Sequence, residues 1–283
     1  NFEKKTIKNI SSILRSGNLV QGESVMNFEK KIQNYLGVEN AIVVSSGTAA
    51  LHLALLALEI GVDDEVIIPA FTYPATGNVV EVVGGKSKLV DISLEDLCID
   101  TTKVSDAISE KTKAIIPVHE FGQAANMTPI INLANKYGLK IIEDAACALG
   151  SKYNDQKVGT LGDLGCFSFH PRKAITTGEG GCVVTNCDEL AEKIRSLRNH
   201  GISKNNKGIN FEYASLNYRM TEFQAALGIA QLENLDKNIN YRSNIAKFYD
   251  EKLSSIDWIQ TPTRLAKRKS IFQTYHLLLN DRV

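Results

Sequence analysis

Ala41-Ile42-Val43-Val44-Ser45-Ser46-Gly47-Thr48-Ala49-Ala50-Leu51-His52-Leu53 decides how this 283-residue chain folds. Ala41–Val44 is apolar on successive residues, as a strand covered on both faces requires. The apolar run that follows, Thr48–Ile60, reads as a buried helix. Its core, Ala49 to Leu58, contains His52 and is too short to span a bilayer. Ser45-Ser46-Gly47-Thr48 therefore sits where a strand hands over to a helix. Such a helix start offers unpaired N–H groups and the positive end of the helix dipole, so it suits a phosphate. It equally suits a simple Ser/Thr cap.

The same alternation runs outward along the chain. Glu65–Ile68, Lys88–Ile92, Ala114–Val118 and Lys140–Glu143 read as strands, with Ala75–Val83 and Met127–Tyr137 as helices between them. Strands alternating with helices predict an α/β layer fold with a mainly parallel central sheet. Beyond Cys187 the texture changes. Asp188–Arg198 reads as an amphipathic helix and Ser203–Asn210 as a polar loop. A long helical pattern spans Thr221 to Leu253 with a break near Asn238–Asn240, and Gln273–Leu279 reads as one strand. A single strand does not fold alone, so it pairs with the main body or belongs to a longer protein; the latter reading is preferred.

Lys plus Arg and Asp plus Glu both number 32, giving zero formal net charge. No global field draws nucleic acid or an anionic membrane, so neither is expected as a partner. The five cysteines (Cys98, Cys147, Cys166, Cys182, Cys187) form no zinc-ligand spacing and read as reduced thiols of a cytoplasmic protein. No metal site is expected. The glycine fingerprints of nucleotide and dinucleotide loops are missing too.

Two further segments carry chemistry. Ile141-Ile142-Glu143-Asp144-Ala145-Ala146 ends a strand in two acids at the sheet edge where α/β folds hold ligands. A carboxylate there suits a cationic ring nitrogen, a magnesium ion, a ribose or a helix cap. Glu143 alternates away, so one acid faces the site. Cys166-Phe167-Ser168-Phe169-His170-Pro171-Arg172-Lys173 runs from an aromatic strand to a lysine, and Gly178-Glu179-Gly180-Gly181 turns into the strand Cys182–Thr185. A lysine held between strand and turn is placed to act as a nucleophile. Ser168 is placed to touch a phosphate, while His170 and Arg172 read as surface or packing residues.

Taken in order, these segments resemble the DegT/DnrJ/EryC1/StrS sugar aminotransferases, a branch of the fold-type-I pyridoxal-phosphate enzymes. Asp64 to Tyr73, Pro117-Val118-His119 with Gly122-Gln123, and Asn217-Tyr218-Arg219-Met220 carry the likeness further, from Ser16-Gly17 to Gln273-Thr274-Tyr275-His276. The resemblance implies a three-layer fold with a large cofactor-binding domain over residues 1–239. Residues 240–283 would begin a small C-terminal domain that relatives extend past Val283. It implies pyridoxal 5'-phosphate as cofactor, with Lys173 as its Schiff-base lysine and proton shuttle and Asp144 as partner of its ring nitrogen. Tyr73 would stack on the ring, and Gly47, Thr48 and Ser168 would hold the phosphate. Asn217 would reach the cofactor of a neighbouring subunit in a homodimer with shared sites. Cys147 departs from the Gln or His common beside the ring. The implied reaction moves an amino group from an amino acid, glutamate, to a nucleotide-linked keto sugar, a 4-keto-6-deoxyhexose. The same segments also suit two rivals: a pyridoxamine-dependent sugar dehydratase, which carries histidine in place of the lysine, and a non-catalytic cofactor-binding regulator.

Overall fold

The structure, a computed structural model, describes residues 3–205 and 208–280. Two helices, α1 (Lys4–Ser16) and α2 (Glu23–Leu36), precede the first strand. In α2 the apolar residues Val25, Phe28, Ile32 and Leu36 fall on one stripe and are buried. Gly37, at φ 76°, ends the helix by donating its N–H to the Gln33 carbonyl.

Next come β1 (Asn40–Val44), α3 (Gly47–Ala57), β2 (Glu65–Pro69), α4 (Ala75–Val82), β3 (Lys86–Val90), α5 (Thr101–Ala107), β4 (Thr112–Ile115), α6 (Met127–Tyr137) and β5 (Lys140–Asp144). A small hairpin, β6 (Lys152–Tyr153) and β7 (Gln156–Lys157), leads to β8 (Leu164–Ser168), β9 (Gly181–Thr185) and α7 (Asp188–Leu197). The central sheet has seven strands in the order β1-β9-β8-β5-β4-β2-β3. Only β9 runs against its neighbours, so the sheet is mainly parallel.

Side-chain alternation splits the interior into two cores, one on each face. Ala41, Val43, Ile141, Phe167, Cys182 and Val184 enter one. Ile42, Val44, Ile142, Cys166 and Val183 enter the other, with Ala50, Leu53 and Ala54 of α3. This makes a three-layer α/β fold. Helix α3 is apolar nearly all round because it is buried between the sheet and α4 and α7.

The remaining chain forms β10 (Ile202–Asn205), β11 (Gly208–Phe211), α8 (Glu222–Leu232), α9 (Leu235–Leu253), β12 (Ile259–Gln260), β13 (Arg268–Lys269) and β14 (Leu278–Leu279). Several expectations are corrected here. The polar loop from Ser203 is an antiparallel hairpin, β10 with β11, in which Ile202 faces Phe211; residues 206–207 lie outside the described residues. The long helix breaks at Glu233–Asn234, not at Asn238–Asn240. Helix α9 runs through those asparagines because Leu235 and Ile239 are buried while Asn238 and Asn240 face solvent, and that burial outweighs a weak helix propensity. The expected strand Gln273–Leu279 shrinks to β14, paired with β12. Its first part is diverted, since Thr274 donates its N–H to the Phe121 carbonyl at 3.3 Å. Strands β3 and β4 each begin two residues earlier than expected. Helix α9 runs on through residues 239 and 240 without interruption, and residues 1–2 and 281–283 lie outside the described residues. No helix among the described residues is long and apolar enough to cross a membrane.

Candidate active site

The loops leaving the carboxyl ends of β1, β2, β4, β5 and β8 converge on one cleft of about 510 Å³. Gly47, Thr48, Tyr73, Asp144, Cys147, Ser168 and Lys173 all line it. Strand parity explains part of this convergence. Asp144 and Ser168 end the adjacent strands β5 and β8 and share the sheet face of Ile142 and Cys166, which is the face α3 covers.

The start of α3 is shaped by close approaches. The Ser46 hydroxyl caps the helix by accepting the Ala49 N–H at 3.0 Å. A Cβ at Gly47 would stand 2.7 Å from the Ser168 Cβ and 3.0 Å from its Oγ. Gly181 is pressed equally close beneath: a Cβ there would meet the Ser46 carbonyl oxygen at 2.3 Å. Both glycines are needed so that the β8–β9 hairpin can seat against the helix start. The result is a concave rim of helix N-terminus and Ser168 hydroxyl, a natural anion cradle.

Asp144 is buried. Its Oδ2 accepts from the Thr76 hydroxyl at 2.8 Å and its Oδ1 from the Ala146 N–H at 3.1 Å. Burial pushes its carboxyl above the ordinary range, and the Thr76 hydroxyl, the Ala146 N–H and the Lys173 charge pull it part of the way back. A cation facing Asp144 from the cleft would favour its ionised form. Glu143 points the other way. It accepts from the N–H groups of Gly159, Leu161 and Gly162 and from His119 Nε2, at 2.6–2.9 Å. His119 Nδ1 accepts the Ala125 N–H, which fixes the Nε2–H tautomer. This pair anchors the 159–162 loop and takes no part in the cleft.

Lys173 donates from Nζ to Cys147 Sγ at 2.9 Å, and its backbone N–H closes a turn to the His170 carbonyl. Burial pushes the Cys147 thiol up, offset in part by the Lys173 charge. Tyr73 exposes most of its ring along the cleft. Asn217 stands apart: it is exposed, does not line the cleft, and accepts the Arg219 N–H at 3.2 Å.

The structure adds residues that the sequence reading missed. His170 and Arg172, read as surface or packing residues, both line the cleft, and Arg172 is also exposed. Their nearness in sequence to Lys173 was the available signal. Thr76, Glu120, Phe121, Gln273 and Thr274 also line it. Burial, and then the Asp144 charge, push the Glu120 carboxyl up to about 7.

The chain is similar to known proteins. The family model for the DegT/DnrJ/EryC1/StrS aminotransferase family matches residues 1–282. The GDP-perosamine synthase of Caulobacter vibrioides is 42% identical over 261 residues, which is 92% of this chain and 70% of that protein. A UDP-4-amino-4,6-dideoxy-N-acetyl-beta-L-altrosamine transaminase of Campylobacter jejuni is 38% identical, covering 99% of this chain and 75% of its own length. The crystal structure of S. venezuelae DesV in complex with a ketimine intermediate superposes with a TM-score of 0.93 at 35% identity, covering 98% of this chain and 74% of that one.

Proposed function

The chain belongs to the DegT/DnrJ/EryC1/StrS aminotransferase family, and from that premise we propose how this pyridoxal-phosphate-dependent sugar aminotransferase uses its cleft. It moves an amino group from glutamate to a nucleotide-linked keto sugar, a 4-keto-6-deoxyhexose, giving a 4-amino sugar. One observation carries the reading: an amine (Lys173), a buried carboxylate (Asp144) and an anion cradle (Gly47 with Ser168) open onto the same cleft.

These residues fit the cofactor's three demands. The cradle would hold the phosphate through the first N–H groups of α3, the Thr48 hydroxyl and the Ser168 hydroxyl. Asp144 would pair with the protonated ring nitrogen, and Tyr73 would cover the ring face. When bound, pyridoxal phosphate supplies an electrophilic aldehyde and a ring that takes up electrons from the carbon bearing the amino group.

Lys173 holds the cofactor and moves protons at its Nζ. Cys147 stands where it steadies that amine whenever it is free, a part its 2.9 Å contact supports. Thr76 fixes the Asp144 carboxylate through a hydrogen bond within one buried cluster. Gln273 and Thr274 close the cleft wall from the C-terminal segment. We assign residues 1–239 to the cofactor-binding domain and 240–283 to a smaller C-terminal one that contributes this wall. Asn217, exposed and outside its own cleft, is assigned to the cofactor of a second subunit in a cytoplasmic homodimer.

The 4-amino product is favoured by the name of the Campylobacter relative. Incubating the protein and its cofactor with glutamate and a panel of nucleotide-linked 3-keto and 4-keto sugars tests this. Nuclear magnetic resonance of the product should show nitrogen at C4, with 2-oxoglutarate formed in equal amount. Nitrogen at C3 would overturn the positional assignment, and failure to aminate any sugar would overturn the substrate class.

A further inference from the structure

Glu120 sits where β4 gives way to a tight turn, Glu120–Gly122, closed by the Gln123 N–H on the Glu120 carbonyl at 2.8 Å. The turn is clamped from several sides. His119 is held by Glu143 and Ala125. Phe121, at φ 51°, packs its ring on Phe71 and His276. The Ile271 and Thr274 N–H groups bond to the Gly122 and Phe121 carbonyls at 3.2 and 3.3 Å. Glu120 is thereby fixed on the cleft wall with only 9% of its surface exposed.

Its carboxylate is poorly satisfied for a group so buried. It has the Phe121 N–H and, among the described residues, no side-chain hydrogen-bond donor. Glu143, by contrast, engages four donors. A carboxyl offers about four acceptor positions, and leaving them empty in a buried place is costly. A largely buried carboxyl with one backbone donor, on the wall of a cleft, keeps acceptor positions for a ligand.

The neighbouring charges choose among ligands. Asp144 repels negative charge from one side, Lys173 lies within electrostatic reach, and the Cys147 and Cys98 thiols are further titratable neighbours. Glutamate carries two carboxylates, which two acids side by side disfavour. A sugar ring presents neutral hydroxyls, which a carboxyl near its titration point can serve as acceptor or donor. We propose that Glu120 is a specificity-determining residue that hydrogen-bonds a hydroxyl of the keto-sugar substrate. This rests on the sugar aminotransferase reading above.

The test uses cofactor-loaded protein and measures the two half-reactions separately. Glu120→Leu should raise KM for the keto sugar about tenfold or more, with the glutamate half-reaction and the cofactor absorbance spectrum unchanged within about twofold. Glu120→Gln, which still hydrogen-bonds, should stay within about threefold of wild type. If Glu120→Leu does not fold, Glu120→Asp decides, since the shortened carboxyl should raise the sugar KM alone. Unchanged sugar KM in the folded variants overturns the inference. So does an equal loss in the glutamate half-reaction or a shifted cofactor spectrum, because Glu120 would then serve the donor or the cofactor. Those results leave the sugar aminotransferase reading standing. A wild type that aminates no keto sugar overturns that reading, and this inference with it.

Discussion

Gly47→Ala tests the cofactor cradle with the smallest change available. Gly47 is not in the left-handed region, so alanine meets no backbone penalty and its effect is steric. The added methyl would lie 2.7 Å from the Ser168 Cβ, about 0.7 Å inside ordinary van der Waals contact. Either the β8 end moves or the methyl pushes Ser168 across the cradle. Overpacking of this kind costs about 1–3 kcal/mol. If the binding site bears that cost, the dissociation constant for pyridoxal phosphate rises roughly 5- to 150-fold. Absorbance titration of apoprotein with cofactor measures it, and urea unfolding of the apoprotein shows how much of the cost falls on folding instead. Gly47→Ala with Ser168→Gly should relieve the clash and recover apoprotein stability, with affinity still lowered by loss of the Ser168 hydroxyl. A single variant that binds cofactor as tightly as wild type, with unaltered apoprotein stability, would refute the cradle.

Two other perturbations separate site from scaffold. Because the Glu120 carboxyl titrates near 7 in the folded protein against 4.5 ordinarily, its stabilising contribution is fully present below about 4.5. It is lost as pH rises through about 7. Urea unfolding of apoprotein should show wild type losing on the order of 3 kcal/mol relative to Glu120→Gln between those limits; parallel stability curves would contradict this. Glu143→Gln places an amide among N–H donors and should lower unfolding free energy by about 1–3 kcal/mol for each donor left unpaired. Turnover per folded molecule should be unchanged, and a selective loss of turnover would put Glu143 in the site.

The parts legible in the sequence were those whose cause is local. Strands β1, β2 and β5 are apolar runs, and α6 spans the expected Met127–Tyr137, with Gly138 in the left-handed region stopping it. Lys173, Asp144 and the Gly47 turn stand out because strand ends and glycine turns mark them. Helices α1 and α2 are not among the elements expected from the sequence, although α2 carries the stripe Val25, Phe28, Ile32, Leu36. What stayed hidden depends on distant contacts. Thr76 reaches Asp144 across 68 positions, and Glu120 gains its setting from Asp144 and from the 271–274 segment. The misplaced helix break has the same origin, since asparagine spacing was visible and the burial of Ile239 was not.

Every role assigned in the cleft depends on Lys173 carrying the cofactor. Borohydride reduction of the cofactor-loaded protein, followed by peptide mass spectrometry, tests it most directly. A pyridoxyl-phosphate adduct is expected on Lys173 alone, and none in Lys173→Ala, which should also lose transamination. An adduct on another lysine, or normal turnover by Lys173→Ala, would contradict it.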